Sequence, residues 1–243
     1  MCYKRAFQIQ GEAVRFKPPT VKDKTSERTQ ASIVTDIIRR DIIAGIFQPG
    51  AKLLLRELSA RYGVGTIPLR EALTRLAIAG FVAAVDRRGF RVASVSREEL
   101  LDILRVMAHI EATALEDSIA HGDLAWEGRV VAAYHHLSKL PMVNNRIPGT
   151  LNPAWEDAHD AFHTTLLSAC TSPWLLRLAA QLREHQARYR FLSVHEMEAG
   201  VRDVGAEHHA ILAAVLDRDA GAASKTLVDH LNTTARLAPP AAA

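Results

Sequence analysis

Cysteine is almost absent: among 243 residues only Cys2 and Cys170 occur. One stands in a polar leader and the other in a helical pattern, which excludes a disulfide framework and points to a reducing cytoplasm. Long apolar runs are absent as well. Nowhere do about 18 apolar residues follow one another, the length a membrane span requires. The opening residues, interrupted by charges and by Pro18-Pro19, hold no apolar stretch of signal-peptide length. Neither a membrane partner nor secretion is expected, and no internal repeat is visible.

What is present is an uneven distribution of charge beneath a formal net of +3. Residues 1–97 carry 18 Lys+Arg against 8 Asp+Glu, a net of +10, and the remainder carries 12 against 19, a net of −7. A basic first part joined to an acidic second part is expected where only the first approaches a polyanion. Lys4, Arg5, Arg15, Lys17, Lys22 and Lys24 all precede the first helical pattern, so residues 1–27 read as a mobile basic arm.

Helical periodicity begins near Thr29, where Ile33, Ile37, Ile38 and Ile42 share a face that ends at Gly45 and Pro49-Gly50. A second short helix covers about Arg56 to Tyr62 and stops at Gly63. The stretch from Ile67 to Ala77 follows, with Thr66 as N-cap and Pro68 in the first turn. Its residues Leu69, Ala72, Leu73, Leu76 and Ala77 recur at core-facing spacing, while Arg70, Glu71, Thr74 and Arg75 face outward. Two short strands, Phe81–Val85 and Phe90–Ala93, then flank the basic turn Asp86-Arg87-Arg88-Gly89. Three short helices followed by a basic hairpin make a winged helix-turn-helix over residues 28–95. Such a domain places its third helix in the major groove of double-stranded DNA and its wing near the backbone.

The capping-box sequence Ser96-Arg97-Glu98-Glu99 starts a long helix at the point where the charge changes sign, and the domain boundary is expected there. Residues 96–238 read as an all-α bundle of six helices, with a loop from Met142 to Pro153 and a frayed tail at 239–243. The fold class is therefore mainly α, a winged helix-turn-helix followed by a six-helix domain.

The runs Gly45-Ile46-Phe47-Gln48-Pro49-Gly50-Ala51-Lys52-Leu53, Tyr62-Gly63-Val64, Pro68-Leu69-Arg70-Glu71-Ala72-Leu73 and Gly80-Phe81-Val82 resemble the GntR family of bacterial transcription regulators. The helical remainder resembles the FCD effector-binding domain of its FadR subfamily, nearer the VanR-type branch with six helices. The resemblance implies a metabolite-responsive regulator that binds operator DNA. It places Arg56 and Arg70 at positions where the family uses arginines that contact bases or phosphates, matches Gly89 to the wing glycine, and makes Arg87 and Arg88 phosphate contacts. The chain departs from the family at Gly65-Thr66-Ile67, where many members carry Ser/Thr-Arg-Thr, so Arg70 and Thr74 carry more of the reading than usual, with Thr66 a candidate contact beside them. A homodimer is expected because paired half-sites need paired helices.

Eleven histidines are many for this length, and His135, His136, His185 and His195 read as surface residues. His159 and His163 stand one turn apart within the apolar arc of Trp155, Phe162, Leu166 and Cys170. His208 shares an inward face with Ile211, Leu212 and Val215, and His230 lies beside Leu227 and Leu231. Each alone reads as a hydrogen-bonded core histidine. Four imidazoles on apolar faces of three helices are costly to bury singly and inexpensive to bury around a metal.

The resemblance implies an FCD metal site of three histidines and one acidic residue. His163, His208 and His230 match the histidines. The acidic position is His159 here, so either imidazole replaces the carboxylate or Asp160 turns in. A neutral imidazole there leaves the site one unit more positive, which favours an anionic ligand. Imidazole-rich ligation suits a divalent transition metal, Zn or Ni first, over Mg or Ca. The expected effector is a small carboxylate, with Gln186, Tyr189 and Arg190 flanking its pocket. Glu111, inside the apolar face of Leu100, Ile103, Met107, Ile110 and Ala114, reads as half of a structural ion pair. The competing reading is a helical metal-dependent hydrolase, but no His-Glu-x-x-His run supplies the paired ligands and general base such an enzyme would use. The chain is read as a regulator, not an enzyme.

Overall fold

Thr29 opens the first helix: its hydroxyl accepts the Ser32 N–H at 3.1 Å, capping α1 (Gln30–Ile43) in the computed structural model. Residues 29–85, 89–147, 149–190 and 202–236 are described. The basic arm, the turn bearing Arg87 and Arg88, His195 and the tail lie outside them.

The inward face of α1 is rotated from the isoleucine stripe. Ala31, Val34, Ile38 and Ile42 are buried, whereas Ile33 is 38% exposed. Adjacent apolar residues at Ile33-Val34 and Ile37-Ile38 permit two stripes, and packing selected the one that brings small Ala31 inward.

α1 is followed by β1 (Lys52–Leu53), α2 (Leu55–Tyr62), α3 (Thr66–Ile78), β2 (Val82–Val85) and β3 (Gly89–Val92). The sheet is antiparallel in the order β1-β3-β2, with Leu53 opposite Phe90 and Val82 opposite Val92. The short strand β1 escaped sequence reading because two residues show no alternation and their partner is about forty positions away. Gly63 ends α2 in the left-handed region at φ 65°. The cap of α3 is Gly65, not Thr66: the extended Val64-Gly65 link starts the helix one residue earlier, and Thr66 becomes its exposed first residue. Leu58, Leu69, Leu73, Leu76, Phe81 and Val92 build the core of this unit.

Ser96 caps the long α4 (Arg97–His121), its hydroxyl accepting the Glu99 N–H at 3.0 Å. Among the described residues five more helices complete the second unit: α5 (Leu124–Ser138), α6 (Pro153–Leu166), α7 (Pro173–Arg190), α8 (Val204–Leu216) and α9 (Ala220–Arg236). Leu115, Trp126, Phe162, Leu166, Ile211 and Leu227 form its main core. The indole N–H of Trp126 donates to the Thr165 carbonyl at 3.0 Å, so its burial leaves no donor unpaired. Cys170 is a buried free thiol.

The two units meet along α7. Ala187 packs into the core of the first unit, and Arg39 of α1 pairs with Glu184 at 2.5 Å. The Leu151 N–H, in the loop before α6, donates to the Ala44 carbonyl at the end of α1. No described helix is long and apolar enough to cross a membrane.

Candidate metal centre and nucleic-acid interface

α6 presents His159 and His163 from successive turns, α8 presents His208 and α9 presents His230. All four are buried, with exposures of 6%, 3%, 2% and 6% in that order. One ring nitrogen from each lies within 4.8 Å of those of the others, and the Nε2 atoms of His163 and His208 are 3.4 Å apart. Trp155 stacks on His159 with ring centroids 4.8 Å apart, closing the apolar side.

Burial lowers the basicity of every one of these imidazoles; nearby Arg190 or Arg202 adds to it, as does repulsion from neighbouring rings at His159, His163 and His208, while Glu207 opposes it at His208 and His230. They are therefore neutral near pH 7, the form in which imidazole ligates a metal. The His230 Nδ1 stands 2.7 Å from Glu207 Oε2. A carboxylate accepting from Nδ1 leaves Nε2 as the lone-pair nitrogen and fixes the ring, the usual partner arrangement of a metal-bound histidine. Burial acts to raise the Glu207 pKa, but hydrogen bonds from Arg202 and His230 prevail and hold it at about 2. The donor set, its protonation and this supporting carboxylate all fit a divalent transition metal.

Two of the rings lie against guanidinium groups: Arg202 Nη2 is 3.4 Å from His230 Nδ1, and Arg190 approaches His159 more closely. Arg190 Nη1 lies 2.5 Å from its Nδ1, and the same guanidinium pairs through Nε with Glu156 at 3.1 Å. Asp160 is on the other side of α6, its side chain 60% exposed and 3.7 Å from Arg183 Nε, so His159 and not Asp160 joins the cluster. Arg183 also donates to Glu111 at 3.0 Å, a buried pair. Burial pushes the Glu111 carboxyl up to about 7 against the opposing pull of Arg183 and Arg190. Glu111 Oε2 is buried without a hydrogen-bond partner, and the Arg190 Nε–Glu156 Oε2 and Arg183 Nε–Asp160 contacts are ion pairs that lack hydrogen-bond geometry.

Between the histidines and these arginines is a cavity of about 20 Å³, lined among others by His159, His163, His230, Arg183, Gln186 and Arg190. That is room for a single water or ion. A larger cleft of about 440 Å³, between α1, α6 and α7, shares Arg183 and Arg190 as its inner wall. Tyr189, read from the sequence as flanking the effector pocket, is placed elsewhere. It is buried against Leu100, Leu104, Met107 and Leu231, and its hydroxyl bonds the Glu99 carboxylate. One residue of helical rotation separates it from Arg190, enough to turn it from the histidines toward α4.

Sequence reading did not single out Arg183, Arg188 or Arg202. Arg183 stands seven residues before Arg190 on one helix, a periodic signal that its charge concealed. Arg188 donates to the Gly80 carbonyl at 2.7 Å and to Glu99 at 2.6 Å, joining the end of α3 to the start of α4. His185, read as a surface residue, is half-buried against Gly80. His135 and His136 are exposed.

In the first unit Thr66, Arg70 and Thr74 are exposed along α3, and Arg56 is exposed on α2. The Thr74 hydroxyl donates to the Arg70 carbonyl at 2.9 Å, and Arg75 pairs with Glu71 at 2.6 Å. Gly89 begins β3 at φ 86°, a left-handed conformation that glycine adopts without strain.

A winged helix-turn-helix docked on an all-helical domain is the architecture of a transcription regulator. The chain belongs to the GntR family: residues 30–92 match the model for bacterial regulatory proteins of the gntR family, and residues 102–233 match the FCD domain. It is 39% identical to the HTH-type transcriptional repressor GlaR of Escherichia coli (strain K12), over 81% of this chain and 90% of that protein. It is 36% identical to the HTH-type transcriptional regulator BphR of Paraburkholderia xenovorans (strain LB400), over 81% and 80% respectively. Among solved structures, E. coli McbR/YncC superposes with a TM-score of 0.70 at 18% identity, covering 85% of this chain and 95% of that one, a likeness of fold. The family and these relatives are regulators of transcription, not hydrolases.

Proposed function

We propose that this regulator binds operator DNA as a homodimer through α3 and the wing, and that a small carboxylate bound beside a metal in the histidine centre changes its DNA affinity. Arg56, Thr66, Arg70, Thr74 and Gly89, with Arg87 and Arg88 of the wing turn, face the DNA in this reading. His159, His163, His208 and His230 hold the ion, Zn or Ni, which when bound supplies a Lewis-acidic positive charge for an anion. The match to the FCD domain supports this reading, with imidazole standing where the resemblance implies an acidic ligand.

The observation that carries the reading is the last turn of α7. Arg190 touches His159 in the centre, and Arg188, two residues earlier, holds the Gly80 carbonyl where α3 ends. A carboxylate entering the centre finds room for only one water or ion, so it must draw the Arg190 guanidinium away from His159. Arg183 and Arg190, which line both the small cavity and the adjoining cleft, are the groups that would receive it, and that cleft offers volume for the rest of the ligand. Movement of this turn shifts Arg188 and with it the seat of α3, which is how ligand binding would favour one spacing of the paired helices over another.

The test uses the full-length dimer and duplexes selected from a random pool. Wild type should retain selected sequences, and Arg70→Ala should lose preference for them by about tenfold or more, the magnitude of one bidentate base contact. A thermal-shift screen of small carboxylic acids with and without zinc should yield an acid that stabilises only the metal-loaded protein. Equal binding to unrelated DNA would refute the first half, and acid binding indifferent to metal the second.

A further inference from the structure

The exposed face of α3 carries one side chain unlike its neighbours. Ile67, the second residue of the helix, is 82% exposed, although Leu69, Ala72, Leu73 and Leu76 of the same helix are at most 1% exposed. At about 100° per residue Ile67 lies within about 20° of Thr74 and about 60° of Arg70, at the middle of the outward face. Thr66, Arg70, Glu71, Thr74 and Arg75 surround it there, and all are exposed. Ile78, 85% exposed, is on the same line but about 16 Å further along the axis, so the two do not form one apolar patch.

The N-terminal residues of a recognition helix are those that reach base edges. In the major groove three of the four bases offer only hydrogen-bonding edges, whereas thymine adds an apolar group, its C5 methyl. An isoleucine there has no hydrogen bond to give. We propose that Ile67 is a specificity-determining residue that reads a thymine methyl in each operator half-site, an assignment that rests on α3 being the DNA-reading helix. Arg70, one turn further on, would read the adjacent edge by hydrogen bonds, so the two side chains divide one step between apolar and polar recognition.

Substitution of thymine by deoxyuridine removes the methyl and leaves every pairing edge unchanged. With a duplex selected by the full-length protein, each thymine is replaced singly and affinity is measured by gel shift. Wild type should bind about three- to fivefold more weakly when one particular thymine per half-site is replaced, the effect of burying roughly one methyl. Ile67→Ala, at an exposed position, should fold normally and bind the thymine and deoxyuridine duplexes alike. Ile78→Ala should discriminate as wild type does. If no thymine methyl matters, or if Ile67→Ala keeps the full penalty, the proposal is wrong while the DNA-reading role of α3 stands. If selection returns no preferred sequence, both are wrong.

Discussion

Arg190 Nη1 lies 2.5 Å from His159 Nδ1, so this imidazole is already bonded to a guanidinium. A cation arriving at the same nitrogens meets that fixed positive charge.

Arg190→Met should therefore bind zinc or nickel at least about tenfold more tightly than wild type, since a unit charge about 5 Å away costs several kcal/mol even at an effective dielectric of about 20. Binding of a carboxylate should weaken in the same variant because the group that receives it is gone. Competition with a chromogenic chelator measures the first effect and calorimetry the second. Weaker metal binding in Arg190→Met would show that the arginine supports the centre.

His208 contributes one nitrogen 3.4 Å from that of His163, with its ring shut between Phe162 and His230. Truncation to Ala removes a ligand and opens a small cavity. Affinity for zinc should fall by about a hundredfold or more, and stability of the apoprotein by about 1–3 kcal/mol. The two are separable: wild type should lose melting temperature on chelation, whereas His208→Ala should melt at the same temperature with and without chelator. An equal chelator effect on both would place the metal elsewhere.

Much of this architecture was legible from local pattern, for reasons that individual residues show. Leu69, Ala72, Leu73 and Leu76 were read as inward and are buried, because their spacing has one solution. On α1 the apolar pairs Ile33-Val34 and Ile37-Ile38 left two stripes, and tertiary packing chose between them. The histidines stood out because imidazoles on apolar stripes conflict with burial unless something compensates them. Their convergence is a tertiary fact, set by α6, α8 and α9 meeting over one core. The arginines of α7 were legible only in part. Arg190 reads as flanking the pocket, but Arg183 and Arg188 occupy a helix whose charged residues look solvent-facing in one dimension, and only the docking of the first unit and of α4 encloses them. Tyr189 fails differently: it was read as inward and is buried, but against α4 and not beside the histidines.

Arg188 is 5% exposed in its side chain and spans Gly80 and Glu99. Arg188→Ala leaves the Gly80 carbonyl without its charged donor, a loss of about 2 kcal/mol. Functionally, DNA affinity in Arg188→Ala should no longer respond to metal or carboxylate although both still bind. Gel shifts with and without an acid that stabilises the wild type check this. An undiminished response would show that the signal travels by another contact, for which Arg39 and Glu184 are the next candidates.

Glu111 supplies the last prediction. Its carboxyl sits at about 7 in the folded chain, against 4.5 as the ordinary value, with burial outweighing Arg183. A carboxyl with a raised folded pKa holds its proton more firmly when folded, so from about pH 4.5 to pH 7 it makes the protein less stable as pH rises, by about 3 kcal/mol in all. The four histidines act in the opposite sense. Their folded pKa values are depressed, so their contribution is present above the unfolded value of 6.5 and is lost as pH falls. Total stability is thus a poor readout, but the difference between Glu111→Gln and wild type isolates the carboxyl. Glu111→Gln mimics the protonated state, and relative to wild type its stability should improve steadily between pH 5 and about pH 7 and then level off. Urea denaturation of the metal-free protein across that range measures the difference. A constant difference at every pH would mean that Glu111 stays ionised against Arg183 throughout, with the ion pair prevailing over burial.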